Sequence, residues 1–477
     1  MRADVTASLV VFLVALPLCV GVAVASGVPA ELGLITGIVG GLVTGFLPGS
    51  SLQVSGPAAG LTVLVYEAVD SYGLGGLGVL VLAAGVLQIA MGVLRLGRWF
   101  RAISVSVVQG MLAGIGLVLI AGQLYALADA EAPSSGPDKL LGLGGLVVDT
   151  LGDSRALTAL GLGAGTVLVL ALWPRWRAGA RALPAPLAAV LLATGVTVAL
   201  DLPVARVEVQ GLLASVQPPG AGDFAGLASV GMLGTVLAFT LIASAESLFS
   251  AAAVDRLHDG PRTDYDKELI AQGAGNAVCG GLGALPMTAV IVRSSANVAA
   301  GARTKASRVL HGAWLLLFAA AFPAALELIP VAALAGVLVH AGWKLIPVRE
   351  FGPLWREHRA EAVVLAVTAV AIVVTDMFQG VLLGLLTAVV KTAWETSHVH
   401  VETEDPGAGL PLRVRVLGNA TFLRLPRLLD QLEALPSDRR VALHLEGLRH
   451  VDHACGLALT SWEEQHNRSA TAPRVTA

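Results

Sequence analysis

Apolar runs broken by short polar stretches recur from Val5 to about Lys391, and after that the pattern changes. A straight helix needs about 20 residues to cross the hydrocarbon of a bilayer. Read in such windows, the chain predicts about fourteen segments, centred near residues 17, 39, 62, 84, 113, 165 and 191 in the first half and 242, 274, 292, 315, 335, 367 and 385 in the second. The first run has no convincing small-residue cleavage site, so it is expected to stay in the mature protein.

The polar breaks alternate in sign. Arg95, Arg98 and Arg101 follow the fourth segment, and Arg175, Arg177 and Arg181 the sixth. Arg256 and Arg262 follow the eighth, Arg303, Lys305 and Arg308 the tenth, and Lys344, Arg349, Arg356 and Arg359 the twelfth. The odd connections carry Asp70, Asp129, Glu131, Asp138, Asp201, Glu208, Glu327 and Asp376. Basic loops stay on the cytoplasmic side, so both termini are expected there.

Three parts are predicted: a membrane domain over 1–397, a polar linker over 398–411 (HVHVETEDPGAGLP) and a soluble α/β tail over 412–477. In the tail, Leu412–Val416 and Val441–Leu445 read as strands, and Leu425–Leu435 and Cys455–Gln465 as helices. Roughly 60 residues is near the lower limit for an independent core, so the tail is expected to dock on something.

Composition agrees with the segments. Of 477 residues 55% are hydrophobic and 14% charged, and the mean hydropathy is +0.76, values of an integral membrane protein. A net charge of −3 gives no reason to expect nucleic acid. Cys19, Cys279 and Cys455 lie far apart, which argues against disulfides and structural zinc. His398 with His400, and His450 with His453, lack carboxylate or cysteine partners at ligand spacing. The glycine string GLGGLG at Gly73 follows no strand, as a dinucleotide fold would require. No nucleophile, metal cluster or phosphate loop points to an enzyme, and no cofactor is expected beyond a coupling cation.

Two stretches stand out, VSGPAAGLT from Val54 to Thr62 and ALPMTAVIVRS from Ala284 to Ser294. Each sets a proline among small residues at the start of an apolar segment too short to cross a bilayer. Two readings are open, half-helices that begin inside the membrane and ordinary helices with Pro-Gly kinks. A half-helix aims unpaired N–H groups and the positive end of its dipole into the membrane, which makes an anion site without a lysine. Pro57 and Pro286 suit the first helical position. The anion site is therefore expected at Ser55, Gly56, Pro57, Ala58 and Ala59 on one side and Met287, Thr288 and Ala289 on the other, with Pro17 of the first segment beside them.

Spacing favours half-helices. Pro17 precedes Pro57 by 57 − 17 = 40, and Glu246, inside an apolar span, precedes Pro286 by 286 − 246 = 40. Recurrence in the same order is what two inverted repeats with discontinuous helices give.

Glu246 is the strongest single candidate, because a carboxylate in the middle of a membrane span is costly unless it has a function. Ser250 follows one turn later on the same face. With Thr288 and backbone groups near Ala289, these supply oxygen ligands for a coupling cation. Arg293 has two open roles, adding positive potential to the anion path or snorkelling to the headgroups. Glu268, Gln272 and Asn276 form an i, i+4, i+8 stripe expected to hold helices together by hydrogen bonds.

The stretches LPLCVGVAVASG from Leu16, VSGPAAGLT, AESLFSAAAVD from Ala245 and KELIAQGAGNAVCGGLGALPMTAVIVRSSANVAAGARTKAS from Lys267 resemble the SulP family of inorganic anion transporters, bacterial relatives of the solute carrier 26 carriers. The resemblance implies an all-α polytopic fold of two inverted seven-segment repeats, divided into a core and a gate domain, and a homodimer in the plasma membrane. The tail resembles a STAS domain, with VDHACGL at the strand-to-helix turn, and stops at Ala477 before that domain's last elements. Sodium-coupled members place a carboxylate and a hydroxyl where this chain has Glu246 and Ser250. The acid here is Glu instead of Asp and the hydroxyl Ser instead of Thr, so Na+ and H+ coupling are both open. By resemblance the substrate is a small oxyanion, bicarbonate before sulfate, with a functional link to carbonic anhydrase. Two rivals are a nucleobase permease of the same architecture and a membrane-tethered interaction protein acting through its tail. The permease reads its ligand with side-chain carboxylates or amides where this chain has Met287, Thr288 and Ala289.

Overall fold

The computed structural model describes residues 2–102, 104–133, 135–176, 183–375, 377–407 and 410–471. Arg177, Arg181 and Asp376, three of the alternating charges, lie outside these described residues.

All the expected segment centres fall in helices. The first half gives α1 (Arg2–Ala25), α2 (Ala30–Val39, continued by a π turn over Gly40–Thr44), α3 (Thr62–Val93), α4 (Val105–Leu127), α5 (Gly136–Leu141), α6 (Leu143–Gly152), α7 (Ser154–Leu172) and α8 (Ala185–Ala199). The second gives α9 (Val230–Val254), α10 (Tyr265–Gly281), α11 (Ile291–Ala299), α12 (Ala306–Ala321), α13 (Pro323–Leu326), α14 (Val331–Leu345), α15 (Val348–Glu357), α16 (Arg359–Val374) and α17 (Met377–Thr396). At 32 residues α3 exceeds one span, and it is two helices in line. Gly73 breaks it at φ +70°, a conformation that L side chains rarely adopt. The segments centred at 62 and 84 are its two parts.

Among the described residues six helical stretches, counting Ala59–Val93 and Val331–Glu357 as one each, are long and apolar enough to cross a membrane. Ala30–Thr44, Leu143–Gly152, Ala185–Ala199 and Ala306–Ala321 are apolar but shorter. In the core the helix backbones approach closely, an arrangement that small residues permit and that replaces the missing hydrophobic drive between helices in lipid. The second part of α3 lies on α10 this way. Gly78, Gly85 and Gly92, a heptad apart, face Gly280, Ala277 and Ile270 so closely that an added Cβ would meet backbone or side-chain atoms.

Two short strands sit among the helices. β1 (Ser55–Pro57) pairs antiparallel with β2 (Met287–Ala289), in the register Ser55 to Ala289, Gly56 to Thr288 and Pro57 to Met287. This corrects the expectation that Pro57 and Pro286 open helices. Pro57 ends a strand, and the helices start at a 3₁₀ turn over Ala59–Leu61 that leads into α3 and, after Val290, at α11. Half-helices are present all the same. One runs from Ala59 to the break at Gly73, and the other is the nine-residue α11. The order long helix, short helix, strand, half-helix occurs twice, as α1-α2-β1-α3 and α9-α10-β2-α11.

The chain divides into two units, Met1–Gly384 and Leu385–Ala477. The second has a four-stranded sheet. Its central β4 (Leu412–Ala420) pairs with β3 (Val399–Glu404) antiparallel and with β5 (Val441–His444) and β6 (Leu448–Val451) in parallel. Helices α18 (Leu425–Glu433) and α19 (His453–Thr471) complete it around Val414, Val416, Leu432, Cys455 and Leu459. The linker expected over 398–411 is therefore in part a strand. Its alternating face is missed in sequence because His400, Glu402 and Glu404 leave few apolar positions to show the period.

Candidate functional site

The β1–β2 ribbon brings the starts of the two half-helices together. Intrahelical bonding resumes with the Leu61 N–H donating to Ala58 O at 3.2 Å and the Ser294 N–H to Val290 O at 3.0 Å. Upstream of those bonds, the N–H groups of Ala59 and Gly60, and of Ile291, Val292 and Arg293, are unused by their own helices. All five residues line one cavity of about 1020 Å³, mouth included. Pro57 completes the wall on the α3 side, and Glu246 and Ser250 enter from α9. The facing wall comes from α4 and α14, including Met111, His340 and Lys344 in the last turn of α14.

Glu246 points at the start of α3. Both carboxylate oxygens lie 3.2 Å from where a Cβ on Gly60 would stand, and Oε2 is buried with no hydrogen-bond partner. The Thr288 hydroxyl lies near that carboxyl and is itself buried and unpartnered. Ser250 is 1% exposed. Oxygens from α9 and β2 therefore gather beside two helix N-termini.

Arg293 is 1% exposed, so the snorkelling reading is corrected. Its guanidinium lies against Gly56, with Cys19 and His311 as neighbours. Nε and Nη1 have no hydrogen-bond partner, and no salt bridge to Arg293 is seen among the described residues. A buried cation without a carboxylate raises the potential of the cavity it lines.

Other expected residues serve structure. The Ser55 hydroxyl accepts from Gln272 Nε2 at 2.7 Å. Met287 donates its N–H to Asn276 Oδ1 at 2.7 Å and accepts from Asn276 Nδ2 at 3.1 Å. The Ala289 N–H donates to Ser247 Oγ at 3.2 Å. Ala58 is 2% exposed and Ala289 is fully buried, and neither lines the cavity; nor does Pro17. Of the expected anion residues, Pro57, Ala59 and Arg293 do so. The site thus begins slightly later along each stretch than expected, because the strand pairing takes up Ser55–Pro57 and Met287–Ala289. Gly60, Ile291 and Val292 escape sequence reasoning because they offer only backbone.

The stripe on α10 finds its partners. Glu268 accepts from the Ser50 N–H and from Gln272 Nε2, both at 2.7 Å, and Asn276 donates to Gln88 Oε1 at 2.8 Å. These bonds fix the ribbon against α10 and α3.

Interrupted helices that meet head to head over a cavity, inside a helical membrane bundle of two repeats, define a secondary-transporter fold. The chain belongs to the sulfate permease family, which matches residues 1–368. It is 28% identical over 415 residues to the putative sulfate transporter YvdB of Bacillus subtilis, spanning 84% of this chain and 76% of that one. It is 27% identical over 386 residues to the bicarbonate transporter BicA of Synechocystis, spanning 76% and 64%. In fold it is similar to the transmembrane domain of a cyanobacterium bicarbonate transporter BicA, with TM-score 0.69 and 24% identity over 81% of this chain and 97% of that one. It is also similar to the murine Slc26a9 anion transporter in its inward-facing state, with TM-score 0.79 and 15% identity over 98% and 84%.

Proposed function

We propose that this protein carries bicarbonate, and sulfate less well, across the plasma membrane by cation-coupled alternating access. The observation that carries the reading is the convergence of two half-helix N-termini and the buried Arg293 on one cavity, with Glu246 at its edge. Five free N–H groups and a guanidinium are donors matched to an oxyanion. Bicarbonate comes first because of the likeness in sequence to relatives named as bicarbonate transporters. Relatives named for each substrate keep sulfate as the second choice. Family membership takes the place of the nucleobase reading and of the tail-only reading.

Glu246, Thr288 and Ser250 are the coupling group, taking Na+ between their oxygens or H+ on the carboxylate. The alternating basic connections put both termini in the cytoplasm. The cavity extends to Lys344, on that basic side, which makes this an inward-facing arrangement. The protein works as a homodimer, to which the tail contributes. Uptake of labelled bicarbonate and sulfate into proteoliposomes, with a sodium gradient, a proton gradient or neither imposed, is the test. Accumulation of bicarbonate under one gradient is expected. Absence of uptake of either anion under all three conditions overturns the reading.

A further inference from the structure

A second contact, between α3 and the group formed by α4, α5 and α16, takes no part in the anion site. On the side of the site away from Lys344, the short helix α5 sits on α4 and α16. The Tyr125 hydroxyl of α4 donates to the Lys139 carbonyl at 2.9 Å, and Gly136 lies so close to Val373 of α16 that no side chain fits there. From this seat the Lys139 side chain reaches across to the first half-helix. Its ammonium stands 5.8 Å from the centre of the Tyr66 ring and is attracted by Glu67, the next residue of α3. Lys139 is only 5% exposed. The Tyr66 ring lies where a side chain on Gly27 would stand, and the positive φ of 69° at Gly27 turns the chain after α1. Between α3 and the α4–α5 pair is a cavity of about 360 Å³, mouth included, lined by Thr62 and Tyr66 on one side and Gln123 and Lys139 on the other. Thr62 and Tyr66 put it just beyond the helix start at Ala59–Leu61.

We propose that Lys139 is the latch of this far gate: it holds α5 on Tyr66 and Glu67 while the cavity at the opposite side is open, and its release lets the far passage open. The physical basis is a desolvated cation–π contact reinforced by a carboxylate, which joins elements that must separate when access alternates. The latch rests on the alternating-access reading, but its test needs no transport.

Gln123 is 7% exposed and faces the small cavity, and the native Cys19, Cys279 and Cys455 are buried. A Gln123→Cys variant of the full chain in mild detergent, treated with a bulky maleimide, therefore reports how often the far side opens. Adding Lys139→Met or Tyr66→Leu is expected to raise the labelling rate about tenfold, the change that about 1.4 kcal/mol in an opening equilibrium gives. Glu67→Gln removes attraction without volume and should raise the rate in the same direction, which covers the case where Lys139→Met fails to fold. Lys139→Arg keeps a cation over the ring and should leave labelling slow. Unchanged labelling in Tyr66→Leu and Glu67→Gln, with both proteins monodisperse, overturns the latch. Rapid labelling already in the parent overturns it as well. Parent protein that moves no anion, yet shows the expected labelling series, would fault the transport reading and leave the latch standing.

Discussion

The Glu246 carboxylate rests against Gly60, both of its oxygens 3.2 Å from the place a Cβ there would take. A side-chain anion thus stands at the positive end of the half-helix that is to receive the substrate. A methyl group at residue 60 must push the carboxylate aside. Gly60→Ala is expected to lower proteoliposome uptake at least about tenfold while expression and elution profile stay normal. Full uptake in this variant would show that the contact is incidental.

Glu246→Gln keeps the shape and removes the charge. The protein should fold and exchange anion down its gradient, yet lose gradient-driven accumulation. Paired counterflow and uptake measurements separate the two. A variant that still concentrates substrate as the parent does assigns Glu246 to packing.

Arg293→Met tests the buried cation. Breaking a buried ion pair leaves an orphaned partner charge, which is strongly destabilising, but no carboxylate pairs with Arg293 among the described residues. Thermal stability should therefore hold or rise, while the concentration of bicarbonate for half-maximal uptake increases about tenfold or more. A large loss of stability would show that the guanidinium has a structural partner.

Asn276→Ala should do the reverse. It removes the partner of the Met287 N–H and the donors to the Met287 carbonyl and to Gln88 Oε1, and each orphaned group costs about 1–3 kcal/mol. The unfolding midpoint in detergent should fall by several degrees, with substrate affinity unchanged in the protein that survives.

In the tail, Asp452 starts α19. Its carboxylate accepts the N–H of Cys455 at 2.8 Å and that of Phe422 at 2.5 Å, and the bond from Cys455, with that from Phe422, holds it below the usual carboxylate range. The folded pKa is the lower one, so the stabilisation is complete above about pH 4 and is lost as pH falls through the folded value. Amides of 453–457 in the full chain should exchange faster in Asp452→Ala than in the parent at pH 7, and the difference should shrink at pH 3. An equal difference at both pH values would mean that charge plays no part.

The membrane segments were legible because lipid demands apolar length, and even the break at Gly73 falls between two runs already separate in sequence. Glu246, Ser250, Thr288 and Arg293 were legible for the converse reason, as polar groups set in apolar surroundings. The ribbon was not. Three residues of strand at each of two distant places carry no periodicity, and their pairing belongs to tertiary structure alone. Hence the sequence alone suggests a helix start at Pro57, and Gly60, Ile291 and Val292, which contribute N–H groups and no side-chain chemistry, give no signal in it.

The ladder between Ser55–Pro57 and Met287–Ala289 has a consequence for stoichiometry. Because the two donor rows are stitched to each other, they travel as one cradle, and neither can load or discharge cargo while the other waits. In the proposed cycle each stroke of the chain should therefore deliver a single anion, and measuring the charge moved per anion then gives directly the number of any coupling cations.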